Sequence, residues 1–183
     1  FVFICFLLFW RINSRKFVSS GTVASAYDAW TKDKLLERLW GEHIHLGYYP
    51  ANQKRIDFRE AKVQFVHEMV RWSGLDKLPR GSRILDVGCG IGGSSRLLAK
   101  YYGFNVVGIT ISPAQVKRAI ELTPSELNCD FQVMDALDLK FEDGAFDGIW
   151  SVEAGAHMED KSKFADEMLR TLRPGGYLAV ADW

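Results

Sequence analysis

The chain is poor in the residues that would tie it to a metal, a disulfide framework or a polyanion. Its three cysteines, Cys5, Cys89 and Cys129, are scattered and form no CxxC or CxH pair. That argues against a zinc site and a disulfide scaffold, and it fits a reducing compartment. Basic and acidic residues balance at 23 each across 183 residues. No electrostatic case exists for nucleic acid or another polyanion as partner. The sequence holds no repeats and no low-complexity tract. The most apolar run, Phe1 to Trp10, has ten residues, whereas a bilayer span needs roughly 20. Arg11, Arg15 and Lys16 follow it. The run fits the end of a transmembrane anchor with a basic flank, the core of a targeting peptide, or a buried segment. The first residue is Phe, and Trp183 falls at the end of an apolar strand. The sequence therefore reads as a piece of a longer chain.

What is present is organised around Ile84-Leu85-Asp86-Val87-Gly88-Cys89-Gly90-Ile91-Gly92-Gly93. An apolar strand ends in an acid, a glycine turn follows, and a helix begins near Ser94. Such a turn lets a ligand lie against bare backbone and aims the first N–H groups of the helix at it. The spacing Gly88, Gly90, Gly93 fits G-x-G-x-x-G, which alone points weakly to a dinucleotide. Asp86 changes that reading. A carboxylate at the strand tip would repel a pyrophosphate and attract a cation. The acid that would hold the ribose of NAD about 20 residues later is missing, because the second strand ends in Thr110. The pattern suits S-adenosylmethionine, with its sulfonium and ammonium, better than NAD. The bland alternative is a tight turn with a solvated acid and no ligand.

Along the chain, residues 13–25 read as a polar linker, 26–40 as a helix and 41–50 as an aromatic loop. His43 and His45 lie two apart in that loop. A metal would need a further ligand nearby, so the pair reads as packing. An amphipathic helix is expected over 58–72. Strands are expected at 83–87, 105–109, 131–134, 146–151 and 177–181. Helices are expected at 94–102, 113–122 and 160–172, and Ser112-Pro113-Ala114-Gln115 has the form of a capping box. Pro174-Gly175-Gly176 reads as a turn. The alternation predicts an α/β fold, Rossmann-like and doubly wound, with a mostly parallel sheet. Three regions follow: an anchor remnant and linker over 1–25, a helical cap over 26–81, and an α/β core over 82–183. Ligands in such sheets bind at the carboxyl ends of the strands. There the sequence places Asp86, Thr110, Asp135, Ser151 and Asp182.

The series ILDVGCGIGG, GITIS, MDA, FDGIWSVE and LRPGGYLAVADW resembles the motifs of class I S-adenosylmethionine-dependent methyltransferases. The blocks WGEHIHLGYY, GITISPAQVKRA and WSVEAGAHMEDK resemble more narrowly the tocopherol-pathway branch, the cyanobacterial-type 2-methyl-6-phytyl-benzoquinol and γ-tocopherol methyltransferases. The resemblance implies seven strands ordered 3-2-1-4-5-7-6, of which this chain supplies the first five. It implies S-adenosyl-L-methionine as cofactor, no metal, and a lipophilic prenylated quinol as acceptor. Location would be a plastid, thylakoid or cyanobacterial membrane, otherwise the cytoplasm. Asp86, Gly88 and Gly90, with Cys89 between the glycines, would hold the amino-acid end of the cofactor. Thr110 and Gln115, with Ile111, would meet the ribose, and Asp135 and Ala136 the adenine. Ser151, Glu153 and His157 would line the methyl-transfer site. Sterol, sarcosine/dimethylglycine and cyclopropane-synthase-like enzymes share the pattern. An oxidoreductase or a non-catalytic module fits less well.

Methylating a ring carbon needs the neighbouring hydroxyl to lose its proton. Histidine is the side chain whose ordinary pKa suits that task. His157 is the expected base, with His45 in reserve.

Overall fold

The computed structural model describes residues 20–51 and 56–182. The apolar run 1–10 and most of the linker lie outside those residues. Three helices come first: α1 (Ser20–Asp33), α2 (Leu35–Trp40) and α3 (Phe58–Ser73). Then β1 (Arg83–Val87), α4 (Gly93–Leu97), β2 (Asn105–Thr110), α5 (Pro113–Leu122), β3 (Cys129–Val133), β4 (Phe146–Val152), α6 (Lys161–Thr171) and β5 (Leu172–Ala181) alternate. The five strands form one parallel sheet in the order β3-β2-β1-β4-β5. Sequence alternation foretold this fold class, and the strand order is the one that the family resemblance implies for the first five strands.

β1 is the centre strand, and Ile84, Leu85 and Val87 are fully buried, as a strand covered on both faces requires. Successive side chains point to opposite faces. Ile84 joins Val66, Leu75, Leu98, Phe104 and Trp150 beneath α3 and α4. Leu85 and Val87 join Ile109, Phe146, Ile149, Phe164 and Met168 beneath α6. Local signals end the helices where expected. Asp57 accepts from Arg59 N and Glu60 N at the start of α3, and Gly74 closes it in the left-handed conformation.

Four expectations need correction. The single helix over 26–40 is two, broken at Lys34, whose φ is +55°. The break carries Glu37 of α2 onto Arg118 of α5, where they pair at 2.6 Å. Residues 20–25, expected in a linker, form the first turns of α1; a helix of modest propensity is held by packing on a neighbour, here α5. Pro174-Gly175-Gly176 is not a turn before the strand. β5 already pairs at Leu172 with Phe146, and the next pair is Gly148 with Tyr177, so the intervening residues bulge out of the ladder. The third strand also starts earlier than expected, at Cys129.

Candidate active site at the carboxyl ends of the strands

The glycine turn divides its labour. Gly88, at φ +80°, has no room for a side chain, since a Cβ there would lie 2.5 Å from the Cβ of Ala154. The strand-four loop can therefore close onto the turn. Gly93 serves the same purpose on the other side, where a Cβ would lie 2.5 Å from the carbonyl oxygen of Glu42. Gly90 differs. Its φ is +56°, and the nearest atom to a Cβ there is Gln115 Nε2 at 4.0 Å. Its bare backbone faces open space, a cradle that a ligand can enter. A small cavity lies beside it, among Tyr27, Trp30, Ile44, Ile91 and Gln115.

Asp86 is only 2 % exposed. Its carboxylate turns under the turn and accepts from Ser95 Oγ at 2.5 Å. Burial pushes its pKa up to about 7, against the pull of the Ser95 hydroxyl. The acid thus sits beneath the crevice rather than in its mouth. Cys89 is buried too, and burial holds its thiol well above the ordinary range. Thr110 Oγ1 donates to Gln115 Oε1 at 2.7 Å. The capping box is half formed. Ser112 Oγ accepts from Gln115 N at 3.2 Å, but the Gln115 side chain has turned to Thr110. Ile111 is half-buried beside them. Asp135 Oδ1 accepts from Leu137 N at 2.9 Å, a turn contact, and Ala136 is buried. Ser151 Oγ donates to the Val87 carbonyl at 3.1 Å and is buried, so it joins β1 to β4.

His157 stands on a short 3-10 turn, Gly155–His157. Its Nε2 lies 2.9 Å from Tyr27 Oη. Burial pushes the Tyr27 phenol up to about 12, with help from the Glu153 carboxylate. Burial also lowers His157, while Asp182 works the other way. Tyr27 is therefore the donor and neutral His157 the acceptor, which puts the ring proton of His157 on Nδ1. Glu153 holds a left-handed φ of +52° and accepts from Leu46 N at 2.9 Å.

His45 is placed differently from the reserve base expected of it. Nδ1 lies 2.7 Å from the Leu46 carbonyl and must donate to it. Nε2 lies 3.1 Å from His43 Nδ1 and accepts. Both rings are kept neutral by burial, His43 with its pKa lowered to about 3. His45 keeps no ring nitrogen for a substrate. Among the described residues no three His, Cys, Asp or Glu side chains gather around a metal position.

Several residues of the site carried no local signal. Asp28 caps α5, accepting from Ser112 Oγ and from Ala114 N. Arg96, nearly buried, donates to the Ile91 carbonyl at 2.8 Å and to Glu42 at 2.5 Å. Lys62 is 4 % exposed and donates to the carbonyls of Trp40 and His43 at 3.0 and 2.7 Å. A sequence reading could have flagged only Arg96 and Lys62, as charges on otherwise apolar helix faces.

Comparison with known proteins agrees with this geometry. Residues 85–180 match the family model described as methyltransferase domain. A 2-methyl-6-phytyl-1,4-hydroquinone methyltransferase of Synechocystis is 60% identical over 172 residues, which are 94% of this chain and 54% of that protein. A chloroplastic tocopherol O-methyltransferase of Arabidopsis thaliana is 42% identical over 159 residues, 81% of this chain and 46% of that protein. The chain thus spans about half the length of these curated relatives. A solved structure from Galdieria sulphuraria, described as a sarcosine dimethylglycine methyltransferase, superposes with a TM-score of 0.76 at 31% identity. It covers 85% of this chain and 59% of that one. Sheet order, glycine turn and family match converge, and the chain belongs to the methyltransferase-domain family with the class I S-adenosylmethionine-dependent methyltransferase fold.

Proposed function

We propose that the chain carries the cofactor site and part of the acceptor site of an S-adenosylmethionine-dependent enzyme that methylates a ring carbon of a prenylated quinol. The observation that carries it is the open backbone of Gly90 at the end of the centre strand, beside Gln115. The cofactor, when bound, supplies an electrophilic methyl group. Gly88, Cys89 and Gly90 take its amino-acid end, with the Asp86 carboxylate beneath them as the compensating charge. Thr110, Ile111 and Gln115 take the ribose, and Asp135 and Ala136 the adenine. Ser151 fixes β1 against β4 so that both strand ends keep their places.

The chain's own chemistry is proton handling. A quinol carbon becomes nucleophilic when the neighbouring hydroxyl gives up its proton. Tyr27 lines the cavity and holds its hydroxyl on His157. The quinol hydroxyl gives its proton to Tyr27 Oη as Tyr27 gives its own to His157 Nε2. The imidazolium that forms is favoured by nearby Asp182. The acceptor class rests on the likeness to the Synechocystis enzyme. Membrane attachment through residues 1–10, and a plastid or cyanobacterial setting, belong to the same reading.

Calorimetry tests it with S-adenosylhomocysteine and, as control, NAD. The chain is expected to bind the first and not the second. Gly90→Val fills the cradle and is expected to weaken binding at least tenfold while the chain stays folded. Unchanged affinity in that variant overturns the assignment.

A further inference from the structure

The loop over 41–50 is built inside out. Its two histidines turn inward, and His43 rests on Gly93, while Glu42 stays 49% exposed as it meets Arg96 at 2.5 Å. His45 is 8 % exposed. Its apolar side chains turn outward. Ile44 is 39% exposed, Leu46 69%, Tyr48 42% and Tyr49 57%. Over 43–46 this follows from the alternation of an extended chain. An exposed loop ordinarily does the reverse, and contiguous exposed apolar surface marks a binding face.

The backbone behind that face is fixed from two elements. Lys62 of α3 holds the carbonyls of Trp40 and His43. Glu153, at the end of β4, holds Leu46 N. Tyr48 N donates to the Ala61 carbonyl at 2.9 Å, and Gly47 lies so close to Ala61 that a Cβ would come within 2.6 Å of that methyl. Buried Lys62, half-buried Glu153 and the Tyr48 bond thus fix a display of four apolar side chains. The display begins at the cavity, because Ile44 lines it with Tyr27 and Gln115.

We propose that Ile44, Leu46, Tyr48 and Tyr49 seat the isoprenoid tail of the acceptor, outside the cavity beside which its ring reacts. The inference rests on the quinol reading above. The four side chains come from one short run of chain, 44–49, a linear track that suits a linear hydrocarbon. The stretch 41–50 contains no Lys or Arg, which an anionic bilayer would recruit.

The test measures equilibrium binding, with S-adenosylhomocysteine present, of 2-methyl-6-phytyl-1,4-hydroquinone and of tail-less methylhydroquinone. Leu46→Ser removes one well-exposed anchor and should weaken the phytyl compound about tenfold, the worth of one buried leucine. Affinities for methylhydroquinone and S-adenosylhomocysteine should stay within about twofold. Tyr49→Ser should act in the same direction. An unchanged phytyl affinity in the double variant overturns the proposal, as does an equal loss for all three ligands, which would make the loop merely structural. Loss of binding to quinol-free anionic vesicles in Leu46→Ser overturns it in favour of a bilayer. If the wild-type chain binds both quinols equally, only the tail seat fails. If it binds S-adenosylhomocysteine and neither quinol, the quinol reading fails with it.

Discussion

Tyr27 Oη lies 2.9 Å from His157 Nε2, across 130 residues of sequence. The next residue, Asp28, turns the other way and caps α5 through Ser112 and Ala114. Two successive residues of α1 therefore grip the loops after β4 and β2. The helix is a strap over the point where the strand order reverses, where ligands bind in such sheets. Asp28→Ala removes a cap and should cost about 0.5–2 kcal/mol, measured as a fall in the urea midpoint. Limited proteolysis should then cut α1 first.

The relay makes a second prediction. Tyr27→Phe and His157→Ala should each lower methyl transfer to a quinol by tenfold or more, as general-base contributions are about 10²–10⁴-fold. Residues that act as a unit are non-additive, so the double variant should be no slower than the slower single one. His157→Ala should also move the pH profile. Additive losses, or an unmoved profile with a loss below tenfold, would leave positioning of the ring carbon as the source of rate.

Asp86 sets a pH dependence of stability. In the fold its carboxyl holds a proton up to about pH 7, whereas its ordinary pKa is 3.8. Between these values the folded chain binds more proton, so this contribution is fully present below about pH 3.8 and lost as pH rises through 7. Buried His43 has the opposite slope, its contribution present above 6.5 and lost as pH falls through about 3. The two oppose each other in mildly acid solution, so the informative quantity is the difference between wild type and Asp86→Asn. That variant should be more stable than wild type at pH 8 and keep a smaller advantage at pH 5, the difference changing by at most about 1.4 kcal/mol per pH unit. Chemical denaturation at the two pH values measures it.

Sequence reading reached the strands and the glycine turn because those signals are local, whereas the strand order came only with the family resemblance. Ile84, Leu85 and Val87 make a continuous apolar strand, and Gly88 and Gly90 stand where the chain must turn. The turn alone did not reveal which glycine serves the ligand. Gly88 and Gly93 are required by the loops that rest on them, and only Gly90 faces open space. Asp86 was expected in the crevice because a strand tip is ordinarily exposed. Its side chain shares the face of Ile84, under α4, where Ser95 takes it. Tyr27 and Asp28 lay beyond local reading, since their partners are found only when α1 folds back on the sheet. The same applies to His45, whose apparent availability vanishes once His43 and the Leu46 carbonyl take both ring nitrogens.

Glu153 offers the sharpest separation of strain from contact. A non-glycine residue at φ +52° costs about 1–2 kcal/mol relative to the ordinary region. That strain is held by two bonds: Glu153 N donates to the Ala181 carbonyl at 2.8 Å, and Glu153 Oε1 accepts from Leu46 N at 2.9 Å. Glu153→Gly keeps the first bond, relieves the backbone and deletes the second. Glu153→Gln keeps the backbone strain and an oxygen that can accept from Leu46. Global stability should therefore change little in either variant, because in glycine the gain and the loss offset each other. Hydrogen exchange at the Leu46 amide should separate them. Protection should vanish in Glu153→Gly and survive in Glu153→Gln. If both variants keep it, the loop is held without Glu153, by Lys62, Arg96 and the bond from Tyr48 N to the Ala61 carbonyl. Glu153 would then keep its left-handed turn only to bring Ala154 against Gly88.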